Sequence, residues 1–382
     1  MESVKSKIYF PYIVCGYASL FALGLLDNAR GPYYADFAAD LKLPDSKASF
    51  LFVMTSLMAF FMGLIANWFI RKWNLLNLIR VGHLCMTGGF LCLAVMTNFL
   101  TLVLATTLFG TGFGLINVGE NILIVDGTPV ELRRKYISGL HSFYAMASIL
   151  SPLVISIFIQ NGLTWRHGFA WFSIAPLFSF ALTFFAKIQK SAVVEEHHSQ
   201  LKISWKIMLA GAALGFYVLA EILITSRLVV YLRRYDGMAP DLAAQVLALF
   251  FILVLAGRIL VTFIDLRQFS SRKIMLICLG FSFLMNSLGL FWSPYWLVLC
   301  GLCMAPMFGI GVSYIAEIFP QDPSRAIANA LSVNAIMIVI MHFTVGFVTQ
   351  SSGIRTAMLA GPVFLLLAFV IFKLEPWKKD AT

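Results

Sequence analysis

The chain has 382 residues, 60% hydrophobic and only 12% charged, with a net charge of +10 and a mean hydropathy of +0.87. A soluble domain carries about 25% charged residues, so a water-soluble globular enzyme is excluded as a class. Nucleic-acid binding has little support, because the Lys and Arg residues are dispersed among loops.

Twelve apolar stretches follow one another: 8–27, 48–70, 76–97, 99–125, 136–160, 167–187, 205–232, 240–264, 273–292, 295–318, 326–349 and 355–373. Each is long enough to cross a hydrocarbon layer of about 30 Å. In lipid each must be a helix, because unpaired backbone groups cannot be hydrated there. The connections are short, so the fold class is an all-α membrane protein with no sizeable soluble domain. The first stretch contains Pro11 and ends in charged residues, so it is expected to stay in the mature protein rather than act as a cleaved signal.

Orientation follows from the basic residues. With the N-terminus inside, 19 of the 28 Lys and Arg fall on inner segments and eight on outer ones, with Arg258 inside span 8. This predicts a multi-pass protein of the plasma membrane, or of the inner membrane in a bacterium, with both termini cytoplasmic. The six cysteines all lie within spans and form no disulfide framework. Cys300-x-x-Cys303 reads as helix packing.

A charged connection at 188–204 divides the chain into an N-terminal six-helix bundle (1–187) and a C-terminal one (205–382). Shifting by about 191 residues places Gly110 on Gly301, Gly114 on Ala305, Asp126 on Glu317, Arg134 on Arg325 and Leu140 on Leu331. Both windows read as small-residue helix, acid, short Pro-containing loop, arginine, helix. Two pseudo-symmetric six-helix halves are a recurrent transporter plan, with a central site. Gly110-x-x-x-Gly114 and Gly301-x-x-x-Ala305-x-x-x-Gly309 are small residues at helical spacing, which allows close helix approach. Asp126, Arg134, Glu317 and Arg325 border the repeat-related loops and are candidate gating ion pairs; plain surface pairing is the alternative.

Ionisable residues inside a membrane are costly and default to functional candidates. An isolated acid in lipid favours its protonated form, which suits a proton carrier. Asp27, Glu120 and Glu221 are the proton-coupling candidates. Asp27 precedes Asn28-Ala29-Arg30-Gly31-Pro32, which is expected to end the helix; pairing to Arg30 at i+3 is the structural alternative. Arg30 either attracts an anionic group or anchors the helix end. Glu120 and Asn121 lie mid-span, with Asn117 one turn before Asn121. Arg258 requires a carboxylate or several carbonyls, with Glu221 and Glu120 as candidates for a structural ion pair; substrate binding is the other reading. His83, His141 and His342 could carry protons or make simple helix contacts. Asn28, Asn117, Asn121, Tyr144, Tyr217 and Asn334 belong to a polar-aromatic set suited to a polyhydroxyl ligand, although the same residues serve as bundle glue. Glu195-Glu196-His197-His198 reads as solvated linker, so no metal site is expected. Motifs for metalloprotease, hydrolase or phosphate-loop chemistry are absent from the sequence.

Twelve spans in two halves with a longer central connection resemble the major facilitator superfamily. Gly63-Leu-Ile-Ala-Asn67-Trp-Phe-Ile-Arg71-Lys72 is similar to its inner-loop signature, with Asn67 where an acid is usual and no Gly-Arg pair near Trp73-Asn74. Gly257-Arg258 is the loose counterpart in the second half. A narrower resemblance is to the fucose–proton symporter group: Asp27-Asn28, Asn121, His141-Ser-Phe143-Tyr144 with Ser151-Pro152, and Tyr217-Val-Leu-Ala-Glu221. That group's span-4 acid would fall near Asn117, whereas here the acid is Glu120. Drug–proton antiporters carry a Gly-rich run in span 5; here Pro152 is present without the glycines. The resemblance implies a non-enzymatic secondary transporter working by alternating access. It would carry a small polar, sugar-like solute in proton-coupled symport. The alternative is a proton antiporter exporting a drug-like or siderophore-like compound. Its partners would be the small-molecule substrate and membrane lipid, with no cofactor beyond protons or sodium and a monomeric state as the family expectation.

Overall fold

The computed structural model describes residues 8–188, 204–263 and 269–378, with no side-chain description at 262, 324 and 378. The predicted linker at 188–204, including Glu195-Glu196-His197-His198, lies almost wholly outside them. The described residues contain helices and no strand. Among the described residues, eleven helices are long and apolar enough to cross a membrane, and Ala360–Leu374 is a shorter apolar helix.

Spans 1 to 5 are the helices Phe10–Asp40, Phe50–Trp73, Leu75–Val95, Phe99–Gly127 and Val130–Gln160. Span 6 is Trp165–Phe172 followed by Ile174–Leu182, and spans 7 to 9 are Trp205–Arg234, Pro240–Phe263 and Ser271–Phe291. Span 10 is Tyr295–Met304 followed by Met307–Ile318. It divides where Pro306 lacks an N–H and its ring crowds the Leu302 carbonyl. Spans 11 and 12 follow without a gap, separated at Gly353 (φ 83°). Only a residue without Cβ adopts that conformation at little cost. Asn74, in the tight turn between spans 2 and 3, also has positive φ (73°). Its side chain accepts from the Asn77 N–H at 3.0 Å and so starts span 3.

One expectation is corrected. Asn28-Ala29-Arg30-Gly31-Pro32 does not end span 1, which runs on through Pro32 to Asp40. The apolar pattern resumes beyond it, with Tyr33, Tyr34 and Phe37 buried. Burying these aromatic rings outweighs the one backbone hydrogen bond that Pro32 removes. Asp27 is therefore in the interior of a 31-residue helix, not at its end.

The chain forms two compact units, spans 1–6 and spans 7–12, the second including the short segment Pro44–Ser49 between spans 1 and 2. Within each unit the same pairs of spans touch. Span 1 lies along span 5, and spans 2 and 3 lie along span 4. Span 7 lies along span 11, and spans 8 and 9 along span 10.

The seams explain why. A Cβ on Gly110 would sit 2.8 Å from the Thr55 Cα, and one on Gly114 2.8 Å from the Ala59 Cα. In the second unit a Cβ on Gly301 would sit 2.8 Å from the Phe250 carbonyl, and one on Gly257 2.5 Å from the Ala305 Cβ. The repeated small residues are thus the contacts of spans 2–4 and 8–10. Gly309, the third in its series, has open space instead.

Span 3 meets span 4 just as closely, since a Cβ on Gly112 would lie 2.4 Å from the Gly82 carbonyl and 2.7 Å from the Met86 nitrogen. Backbone atoms cannot swing aside, so Gly112→Leu should cost about 1–3 kcal/mol by overpacking. The measurement is thermal unfolding of detergent-solubilised protein, in which Gly112→Leu lowers the midpoint. Gly63→Ala, where nothing lies within 4 Å, should not lower it.

Candidate functional site

In the first unit the polar chemistry collects where span 1 crosses span 5. Gly24 allows the crossing, because a Cβ there would be 2.9 Å from the Ala147 Cβ. Ser151 Oγ donates to the Leu25 carbonyl at 2.8 Å. Asn28 Nδ2 donates to the Gly24 carbonyl at 2.8 Å and to Ser148 Oγ at 3.0 Å. The Tyr144 hydroxyl donates to Asp27 Oδ2 at 2.8 Å. Arg30 Nη2 pairs with Asp27 Oδ1.

Arg30 is the buried member and Asp27 the accessible one, at 7% and 21% side-chain exposure. Arg30 also donates to the Leu51 carbonyl at 3.2 Å, and its guanidinium lies over the rings of Phe52 and Phe109 at 5.1 and 5.2 Å. Both fork nitrogens are thus engaged and two aromatic rings lie against the group, the arrangement that suits a buried guanidinium. Its role here is to hold Asp27 and join spans 1, 2 and 4. The Asp27 carboxylate and the half-buried Tyr144 remain reachable.

The span-4 residues divide between two faces. Asn117 is exposed and Asn121 half-buried, and Asn121 Nδ2 donates to the Asn117 carbonyl at 3.1 Å. Glu120 is fully buried. Its Oε1 accepts from Asn121 Nδ2 at 3.3 Å, and its Oε2 has no hydrogen-bond partner among the described residues. Neither Arg258 nor any other described cation pairs with it.

In the second unit the buried Tyr217 hydroxyl donates to the Glu221 carboxyl group, with the Met304 carbonyl 3.3 Å away at the break in span 10. Arg258 is exposed on span 8. Asn334 is 4% exposed, with neither amide atom partnered among the described residues. It packs where Gly215 opens span 7, beside Met337.

The gating candidates are not drawn together here. Asp126 Oδ2 is buried without a hydrogen-bond partner among the described residues, while Arg134 is exposed. Glu317 accepts from Ser271 Oγ at 2.7 Å rather than from Arg325. The Arg325 backbone N–H bonds the Asp322 side chain at the start of span 11.

Several arginines not singled out by the sequence reading have definite work. Arg80 Nη2 donates to the Thr183 carbonyl at 3.1 Å, and Arg272 Nε to the Phe372 carbonyl at 3.1 Å. Arg166 Nη1 donates to the Ala94 and Met96 carbonyls at 3.1 and 2.9 Å, and Arg355 Nη2 to the Leu290 carbonyl at 3.4 Å. The signal was the repeat itself, for Arg80 and Arg272, like Arg166 and Arg355, are separated by nearly its period. Arg227, at 1% exposure, donates to Ser49 Oγ at 3.0 Å, and Arg234 grips both oxygens of Asp45 at 2.8 Å. No local pattern in the sequence reveals the Arg227 contact, because the partner lies 178 residues away.

Residues 16–267 match the family model of the Major Facilitator Superfamily. The chain belongs to this superfamily. Its members are transporters. Among curated relatives, the human sodium-dependent glucose transporter 1 is 25% identical over 37% of this chain and 27% of its own length. The MFS-type transporter PydD of Acremonium sp. is 28% identical over 46% of this chain and 29% of its own. The efflux pump AflT of Aspergillus parasiticus is 25% identical over 54% and 37%. The chain thus matches about a third of the length of these relatives.

Solved folds of the superfamily align throughout. The xylose transporter XylE from E. coli has a TM-score of 0.76 at 12% identity, covering 98% of this chain and 100% of that one. The E. coli fucose:proton symporter FucP has a TM-score of 0.62 at 16% identity, covering 97% and 99%. The protein is therefore a multi-pass membrane protein with the two-bundle fold of the superfamily.

Removing one partner of a buried pair strands the other charge at about 3–5 kcal/mol. Asp27→Asn alone, which strands the buried Arg30 guanidinium, should therefore reduce the thermal midpoint and the yield of monodisperse protein. Adding Arg30→Met to it should recover most of the loss, as read by unfolding in detergent.

Proposed function

We propose that this chain is a secondary active transporter that moves a small polar, sugar-like solute by alternating access in symport with protons, with both termini cytoplasmic. The observation that carries the reading is Asp27. It is a partly exposed carboxylate mid-helix, balanced by Arg30 and receiving the Tyr144 hydroxyl. Ionisable residues at such depth are the usual carriers of coupling ions.

A proton arriving on Asp27 removes its charge and weakens its hold on both neighbours. Tyr144 can then offer its hydroxyl to a solute, while the Asn28 amide hydrogens stay on Gly24 and Ser148. Tyr217 with Glu221 forms a second tyrosine–acid pair, and Asn117 and Asn121 present amides on one face of span 4. Glu120 and Glu221 are the other proton-exchanging groups of the proposal. Names printed for relatives and neighbours, including glucose, xylose and fucose carriers, support the sugar-like class. The human relative's sodium dependence makes sodium the alternative coupling ion. The efflux-pump relative supports export as the second reading.

The test is purified protein in vesicles with an internal pH dye, challenged with sugars, nucleosides, organic acids and siderophores. Solute-driven acidification of the interior is expected with one class, whereas alkalinisation would replace symport by antiport. Asp27→Asn combined with Arg30→Met, so that no buried guanidinium is stranded, should abolish the pH change while keeping solute exchange. Losing one hydrogen bond of about 1.5 kcal/mol, Tyr144→Phe should weaken solute affinity about tenfold. Unimpaired proton-coupled transport by both Asp27→Asn and Glu120→Gln would sink the assignment.

A further inference from the structure

The second unit contains a cavity of about 350 Å³ that the transport chemistry does not use. It lies among spans 7, 11 and 12, walled by Phe216, Met337, Met341, Val345, Ala360 and Phe364. That volume is within the range of small-molecule sites. Its lining is almost wholly apolar, the exceptions being the hydroxyls of Thr344 and Thr356. The Thr356 hydroxyl is already donated to the Ser352 carbonyl at 2.8 Å.

That chemistry decides what can enter. A buried water needs two to four polar partners, and cavities lined by apolar side chains stay dry and accept apolar guests. A sugar-like solute would leave its hydroxyls unpaired there at a prohibitive cost. Two thioethers among the walls add an adaptable surface.

The mouth of the cavity points to the source of the guest. Ile340 both lines the cavity and is 59% exposed. Along the same helix Ile336, Phe343 and Phe347 are 48%, 44% and 51% exposed. Spaced four, three and four residues apart, they form one apolar stripe. An exposed apolar stripe on a membrane-spanning helix suits hydrocarbon, which makes acyl chains the fitting guests at the mouth.

We propose that this cavity is a lipid site, which takes up one hydrocarbon chain of a bilayer lipid between spans 7, 11 and 12. It is independent of the solute reading above.

The experiment uses full-length protein in phosphatidylcholine vesicles doped with a phosphatidylcholine whose acyl chain ends in a diazirine. Photolabelled peptides are mapped by mass spectrometry. Label should concentrate on Met337, Met341 and Phe364, relative to the exposed apolar face at Phe178 and Phe184. Ala360→Phe, which fills the cavity, should reduce that label at least fivefold. Ala357→Leu gives a milder filling, with a partial loss, should Ala360→Phe fail to yield monodisperse protein. Label spread evenly over all exposed apolar faces would overturn the proposal. So would label unchanged in a folded filling variant, or displaced by a sugar from the solute panel.

Discussion

Everything in this molecule depends on satisfying polar groups inside an apolar bundle, because lipid offers them no partner. The last carbonyls of a helix and the charge of an arginine are complementary problems. A helix C-terminus carries partial negative charge and unpaired acceptors. Arg80 and Arg272 close the ends of spans 6 and 12, and Arg166 and Arg355 close the ends of spans 3 and 9. In each unit the two outer spans are therefore tied to each other at both ends by the same device. Aromatic rings cover the guanidinium planes, Phe184 for Arg80, Trp165 for Arg166 and Phe291 with Tyr235 for Arg355.

Against that shared frame the two units differ at one seam. Spans 1 and 5 are joined by polar bonds, with Asp27 to Tyr144 and Asn28 to Ser148. The corresponding spans 7 and 11 meet through close backbone contact instead. A Cβ on Gly211 would lie 2.7 Å from the Ala330 Cα, and Gly215 accommodates Asn334 and Met337. The second unit places its acid on span 7 itself, where Tyr217 and Glu221 satisfy each other one turn apart. One repeat therefore holds its carboxylate both within span 1, through Arg30, and across the crossing, through Tyr144, whereas Tyr217 holds Glu221 within span 7. Any motion that alters the crossing of spans 1 and 5 changes the surroundings of Asp27 directly. The same motion in spans 7 and 11 would leave the Tyr217–Glu221 pair intact.

The spans and the repeat were legible in the sequence because both rest on local pattern, apolar length for the spans and small-residue period for the seams. Gly110, Gly114, Gly301 and Ala305 are the contacts that the spacing predicts. The Asp27–Arg30 pair was legible for the same reason, as an i,i+3 neighbour on one helix. Tyr144 as the second partner of Asp27 was not, since 117 residues separate them and only the span 1–5 crossing brings them together. The end of span 1 was misread because Asn-Ala-Arg-Gly-Pro is a stop signal in water. In the bundle, the aromatic residues beyond it are worth more buried than the hydrogen bond that Pro32 removes.

That misreading exposes what is special about the site. Pro32 has no N–H, so the Asn28 carbonyl four residues earlier loses its helical donor. Asn28's own side chain is turned back onto the Gly24 carbonyl and across to Ser148. Backbone hydrogen bonding is thus weakest, and side-chain bonding densest, in the same turn that carries Asp27 and Arg30. A helix interrupted by proline bends there at less cost than an intact one. Protonation of Asp27 would loosen the side-chain network that reinforces this turn. The carboxylate, its counter-charge and the proline interruption thus lie within one stretch of a single span, Asp27 to Pro32.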